Sequence, residues 1–292
     1  MKAVGIAGTG TMGRAVAGRL LADGLAVSGY DASPRAAEQA RALGVAMCGS
    51  LAQLAGAAER IILFLPGPAE IAAAVTGEGG LLAGMRRGGA IIDMSTSSPD
   101  NTAAMAAAAR EAGIGYLDAP VLGRPDTVGK WSLPVGGEAA LLEEVRPLLE
   151  RIAGSVLHVG GPGAGHKVKL LNNLMFGAIS AITAEVMAVA ERVGVSPAQF
   201  YDIVTASQAA TVSGLFRESG RRICEERYTD PTFTLGLMAK DVRLGVDMAE
   251  AAGAPILVAR SVDYLAKVAC AQGFAGADTA ALWQCVKNLW KP

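Results

Sequence analysis

From residue 2 to residue 161 the chain alternates short, continuous apolar runs with longer stretches of helical periodicity, and few folds accept that pattern. KAVGIAG (2–8), LAVSGYD (25–31), RIILFLP (60–66), GGAIIDMS (88–95) and GIGYLDAP (113–120) are such runs, the last three bounded by Gly and Pro. Apolar residues at consecutive positions suit strands buried on both faces, and strands separated by helices suit a parallel, doubly wound α/β sheet. WSLPVGG (131–137) and SVLHVGG (155–161) add late strands around a helix from about Glu138 to Arg151. After Gly165 the strand signal fades. Helices are expected over about 166–193, from the cap and N1 proline at Ser196-Pro197, over about 234–252 and over about 255–272. The expected architecture is a Rossmann-type doubly wound sheet over residues 1–162, then an all-α domain over 163–292 entered by a long helix.

The length of 292 residues leaves room for about two domains. With 26 basic and 27 acidic residues, no nucleic-acid footprint or anionic membrane partner is indicated. Cys48, Cys224, Cys270 and Cys285 lack a CxxC spacing and read as small buried hydrophobes. Two histidines leave little for a His-based cluster, so no metal site is expected. The N-terminus enters a strand directly and shows no signal peptide, which suggests a soluble cytoplasmic protein. The most apolar long segment, 170–190, contains Asn172, Asn173 and Glu185; a helix enclosed by protein fits it better than a membrane span.

GTGTMG (8–13) follows the first run and opens the first helix. In that place Gly8 permits the tight turn, Gly10 lets backbone approach a pyrophosphate and Gly13 permits close helix–strand packing, with Thr11 and Met12 at the helix N-terminus. Asp31 ends the second run ~20 residues on, where a carboxylate accepts hydrogen bonds from an adenosine ribose. Its charge would repel a 2′-phosphate, so NAD is favoured over NADP, although Arg35 nearby could accept a phosphate. The plainer reading of Asp31 is a helix-flanking cap.

Lys169 and Asn173 lie four residues apart within GAGHKVKLLNN (163–173), so both project from one helical face. An unpaired buried amide or ammonium costs several kcal/mol, so a buried face carrying both must meet something polar. Lys167 reads as a surface residue, and His166 as a loop or first-turn residue with no catalytic task.

Through GTGTMG (8–13), FLPGP (64–68), IDMSTSSP (92–99), DAPV (118–121), GAGHKVKLLNN (163–173) and DPTFTLGLMAKD (230–241), in that order, the chain resembles the β-hydroxyacid dehydrogenase family along essentially its whole length. Members include 3-hydroxyisobutyrate dehydrogenase and tartronate semialdehyde reductase. The resemblance implies a dehydrogenase that moves a hydride between nicotinamide and a small β-hydroxy acid or its semialdehyde. It implies that Leu65 and Pro66 border the cofactor, that Thr96 lies beside the nicotinamide ribose and that Lys240 contacts cofactor. It also implies that Lys169 is catalytic, that Asn173 is its partner at the substrate and that Phe233 lines the pocket. The chemistry agrees: hydride addition builds charge on oxygen that an ammonium can stabilise and protonate. The reverse direction needs a neutral amine, which burial and the positive end of a helix dipole both favour.

The family usually continues DAPV with Ser-Gly-Gly, which holds the substrate carboxylate; here Leu122, Gly123 and Arg124 follow. Arg suits bidentate binding of carboxylate, sulfonate or phosphate. The layout also resembles the sulfolactaldehyde reductases of the family, so a strongly anionic aldehyde is the alternative substrate. Arg124 otherwise faces solvent or braces the loop, and Trp131 either reshapes the pocket or fills core. Imine reduction on the same architecture typically replaces the lysine, a 6-phosphogluconate dehydrogenase would carry a larger C-terminal domain, and an inactive dinucleotide-binding scaffold usually loses the lysine. The apolar helix over 166–193 suggests packing between domains or subunits, hence a homodimer or homotetramer.

Overall fold

The computed structural model describes residues 3–207 and 213–290; Lys2, which opens the first expected run, lies outside them. The chain divides into two compact units, Met1–Lys169 and Leu170–Pro292.

The first unit is an eight-stranded sheet: β1 (Ala3–Ala7), β2 (Ala26–Tyr30), β3 (Ala46–Met47), β4 (Arg60–Leu63), β5 (Ala90–Asp93), β6 (Gly115–Asp118), β7 (Trp131–Gly136) and β8 (Ala153–Gly160). Their spatial order is 3-2-1-4-5-6-7-8. Interleaved are α1 (Thr11–Ala22), α2 (Pro34–Ala42), α3 (Leu51–Ala57), α4 (Pro68–Thr76), α5 (Leu81–Gly84), α6 (Pro99–Glu111) and α7 (Ala139–Ile152). Ser33, Ser50 and Ser98 cap α2, α3 and α6 by accepting the amides of Ala36, Gln53 and Asn101. Successive strand residues feed opposite faces. Val4, Ile6, Ile62 and Ile92 join Leu20 of α1 and Leu149 of α7 in one core, whereas Ala7, Ile61, Leu63 and Ile91 join Leu54, Ile71 and Met105 in the other. Continuous apolar runs are the sequence trace of this double burial.

One pairing departs from the parallel pattern: β6 and β7 pair antiparallel at Asp118 and Gly136. Residues 119–130 between them hold only a single 3₁₀ turn, Pro125–Thr127. Without a crossover helix the chain returns in the opposite sense.

The long helix α8 (Ala164–Arg192, 29 residues) starts in the first unit and continues into the second. By length and composition it could cross a membrane, but half of its most apolar window is buried in the fold. The second unit adds α9 (Pro197–Ala206), α10 (Gly214–Cys224), α11 (Leu235–Ala251), α12 (Leu257–Ala271) and α13 (Leu282–Leu289). Ala184 and Met187 of α8 pack with Met238 and Val242 of α11, Ala266 of α12 and Leu282 and Val286 of α13. Two of these helices lack a clear signal in the sequence. Helix α10 contains Gly220 and a run of charges, yet Phe216 and Ile223 bury its inner face, and Arg222 is held by Glu218, Asp230 and Asp278. Helix α13 spans only eight residues. On α8, Leu171, Met175, Ile182 and Val189 stay exposed to solvent.

Candidate active site

The turn between β1 and α1 is built from its glycines. Gly8 adopts φ +91°, and a Cβ there would run into the carbonyl oxygen of Phe64; one on Gly13 would run into the carbonyl of Gly8 itself. Gly10 caps α1 with no side-chain hydrogen bond, and a Cβ added to it would meet nothing within 4 Å. The space beside the N-cap of α1 is therefore open, which suits an anion site at a helix N-terminus. Thr11 is exposed there, and Met12 packs partly onto the core.

Asp31, beyond the end of β2, accepts the Thr9 amide at 2.6 Å through Oδ2 and the Ser33 amide at 2.8 Å through Oδ1. It thus ties the Gly-rich turn to the cap of α2 while keeping lone pairs for a ribose. At the end of β4, Leu65 N–H donates to Ser95 Oγ at 2.9 Å, with Pro66 exposed and Thr96 half-buried beside Ser95. These groups follow the carboxyl ends of β1, β2, β4 and β5, around the β1/β4 pair where the strand order reverses. Ligands of open α/β sheets bind at that switch point. The residues present fit a dinucleotide.

Asp118, at the end of β6, is fully buried and accepts the amides of Gly163 at 2.8 Å and His166 at 2.9 Å, capping α8 from a distant strand. Burial pushes its carboxyl up, opposed by His166 and by those two amides. One turn further on, half-buried Lys169 donates from Nζ to Val121 O at 2.7 Å, whereas Lys167 is exposed. The loop after Val121 is held by Trp131. Leu122 bridges to Ser132, a Cβ on Gly123 would strike the indole, and Trp131 Nε1–H donates to Arg124 O at 2.7 Å. Trp131 is 1% exposed, so it fills core and props the loop from below. The half-exposed Arg124 guanidinium lies 3.5 Å from Asp126.

Residues 3–160 match the family model of the NAD binding domain of 6-phosphogluconate dehydrogenase, and residues 163–286 match the NAD-binding model of NADP-dependent 3-hydroxyisobutyrate dehydrogenase. A probable 3-hydroxyisobutyrate dehydrogenase of Mycobacterium tuberculosis is 31% identical over 92% of this chain and 93% of the relative. The chain belongs to the β-hydroxyacid dehydrogenase family. It is an NAD(P)-dependent hydroxyacid dehydrogenase of the 3-hydroxyisobutyrate dehydrogenase type. The 2-(hydroxymethyl)glutarate dehydrogenase of Eubacterium barkeri is 29% identical over 96% of this chain and 93% of its own length. The crystal structure of 3-hydroxyisobutyrate dehydrogenase from Salmonella typhimurium superposes with a TM-score of 0.90 at 29% identity, over 97% of this chain and 99% of that one.

In the second unit of this β-hydroxyacid dehydrogenase, Asn173 is buried, donates from Nδ2 to Asp241 Oδ2 at 2.6 Å and accepts from Asn172 at 3.1 Å. Lys240 Nζ lies 2.7 Å from Asp241 Oδ1. Phe233 is half-buried and packs edge-on against Phe176, 5.5 Å between centroids. Within the first unit the structure joins Lys169, the 121–124 loop and the cofactor turn to one sheet edge; within the second it joins Asn173 to Lys240 through Asp241. Sequence reasoning missed Asp241, Asp118 and Ser95, although all three stand inside motifs that carry the resemblance. It also placed His166 without a task, whereas the ring is fully buried and bonded on both nitrogens.

Proposed function

We propose that this β-hydroxyacid dehydrogenase interconverts a small β-hydroxy acid and its semialdehyde with NAD, Lys169 acting as general acid and base. The observation that carries the reading is Lys169 Nζ at 2.7 Å from Val121 O, which fixes an ammonium beside the loop that departs from the family pattern. Gly8, Gly10, Thr11, Met12 and Gly13 hold the pyrophosphate, Asp31 the ribose, Leu65, Pro66 and Thr96 border the nicotinamide half, and Lys240 contacts the cofactor. The bound cofactor supplies or accepts the hydride at the carbon of the reacting group. In reduction Lys169 donates its proton to the carbonyl oxygen as negative charge develops there; in oxidation the neutral amine removes the hydroxyl proton. Asn173, one turn further along α8, hydrogen-bonds substrate without adding charge, its amide oriented by Asp241. Phe233 lines the apolar side of the substrate.

The acid group of the substrate falls to the Leu122–Arg124 loop. Leu122 N–H donates to Ser132 O and Arg124 N–H to Thr127 Oγ1. Gly123 N–H, beside them, and the Arg124 guanidinium are the donors assigned to the anion. A second reading, reduction of a sulfonated or other strongly anionic aldehyde, is favoured by this guanidinium two positions beyond Leu122, which replaces the family's serine. A turnover screen over 3-hydroxyisobutyrate, glycerate, serine, threonate, dihydroxypropanesulfonate and their aldehydes tests both. Arg124→Ala is expected to raise KM for the best anion by about tenfold, the loss of one charge-assisted hydrogen bond, with kcat little changed. An unchanged KM would leave Arg124 as a loop brace beside Asp126.

Asp31 supports NAD over NADP because its carboxylate would face a 2′-phosphate. We expect kcat/KM for NADH to exceed that for NADPH by at least about tenfold, the equivalent of ~1.4 kcal/mol. A clear NADPH preference would overturn the assignment. The exposed apolar side chains along α8 support a homo-oligomer as the working form.

A further inference from the structure

His166 is a fully buried titratable side chain that the reaction proposed above does not use. Its Nε2 lies 3.2 Å from the Ser95 carbonyl oxygen, and its Nδ1 lies 2.7 Å from Thr102 Oγ1. A carbonyl can only accept, so Nε2 carries the proton on that side. The Thr102 hydroxyl on the other side donates to Ser98 O at 3.0 Å, and Asp118 Oδ2 stands 4.0 Å from Nδ1. The backbone amide of the same residue donates to Asp118. His166 is therefore clamped at both ring nitrogens and at its main chain, one helical turn before Lys169.

The partners of the ring lead to the cofactor side of the sheet. Ser95, whose carbonyl accepts from His166, uses its hydroxyl to accept the Leu65 amide, and its own amide donates to buried Asp93 at 3.0 Å. Asp93 also accepts the Tyr116 hydroxyl at 2.8 Å. A rigid hydrogen-bonded path thus runs from Leu65, at the end of β4, through Ser95 and His166 to the first turns of α8. All of it lies within the first unit.

We infer that His166 is a positioning residue: it fixes the rotation and axial setting of the start of α8 against the Leu65–Ser95 strand ends, so that Lys169 Nζ stands at a defined distance from the hydride-exchanging carbon. The inference rests on Lys169 being the acid and base. It acts through geometry, because misplacing a catalytic group by about 1 Å can cost 10²-fold in rate.

The test is a double-mutant cycle of His166→Leu and Lys169→Ala, with kcat expressed per NADH-binding molecule and NADH affinity and thermal melting measured on each protein. His166→Leu is expected to lower kcat about 10–100-fold with NADH affinity within about threefold. On the Lys169→Ala background the same substitution should cost less than about threefold, because the group it positions is gone. His166→Gln keeps an N–H donor for Ser95 O, so it should restore most of the rate. Should the leucine variant fail to fold, Thr102→Val removes the Nδ1 partner and should lower kcat severalfold. The inference is overturned if His166→Leu, or Thr102→Val in its place, lowers melting temperature but leaves kcat per binding molecule unchanged. It is equally overturned if the loss is as large without Lys169 as with it. Wild-type turnover in Lys169→Ala alone would instead sink the assignment of the lysine, whatever His166 does.

Discussion

Lys169→Ala is expected to lower kcat by ~10³-fold or more while leaving NADH affinity within about threefold. General acid–base transfer contributes ~10²–10⁴-fold, and loss of a positioned positive charge at the developing alkoxide adds to it. The substitution removes a half-buried donor from the carbonyl of buried Val121, so the stability cost should be about 1–3 kcal/mol. Steady-state kinetics in the reductive direction, paired with NADH titration by fluorescence, separates the two effects. A proportional loss of NADH binding would mean that the lysine serves the cofactor site.

The second large effect divides the glycines of the 8–13 turn. Gly8→Ala is expected to destabilise the fold by roughly 3 kcal/mol or more, because φ +91° strains any L side chain and its Cβ would meet the Phe64 carbonyl. Gly10→Ala should behave differently. Its φ of −61° is open to alanine and no protein atom lies near the added Cβ, so the melting temperature should hardly move. The methyl group instead occupies the space in front of the α1 amides, and NADH affinity should fall by at least about tenfold. Thermal melts with and without NADH read both outcomes: the ligand-induced rise in melting temperature should shrink in Gly10→Ala while the ligand-free value persists. Equal destabilisation by the two substitutions would contradict the cradle.

The doubly wound sheet was legible because β1, β4, β5 and β6 are buried on both faces and therefore apolar at consecutive positions. The antiparallel return of β7 was not. It follows from the absence of a crossover helix over 119–130, a stretch whose Pro, Asp and Gly residues read simply as a loop. Helix α10 was hidden for a different reason: its charges and Gly220 weaken the periodic signal, and packing of Phe216 and Ile223 supplies what local propensity does not. At the site, the i, i+4 spacing of Lys169 and Asn173 and the placement of the Gly-rich turn could be read directly. The partners of those groups could not. Asp118 meets His166 across 48 residues of sequence and Asp241 meets Asn173 across 68, and no local pattern encodes such pairings. Trp131 had two readings in the sequence, and its burial at the back of the 122–124 loop chose between them.

Oxidation of the best β-hydroxy acid by NAD in Lys169→Arg separates the charge of the lysine from its basicity. Arginine keeps the positive charge but cannot become a neutral base in a protein. This variant should lose nearly all alcohol oxidation while still binding NAD and folding as the wild type does. Oxidation at the wild-type rate by the arginine enzyme would contradict the assignment of Lys169 as the base.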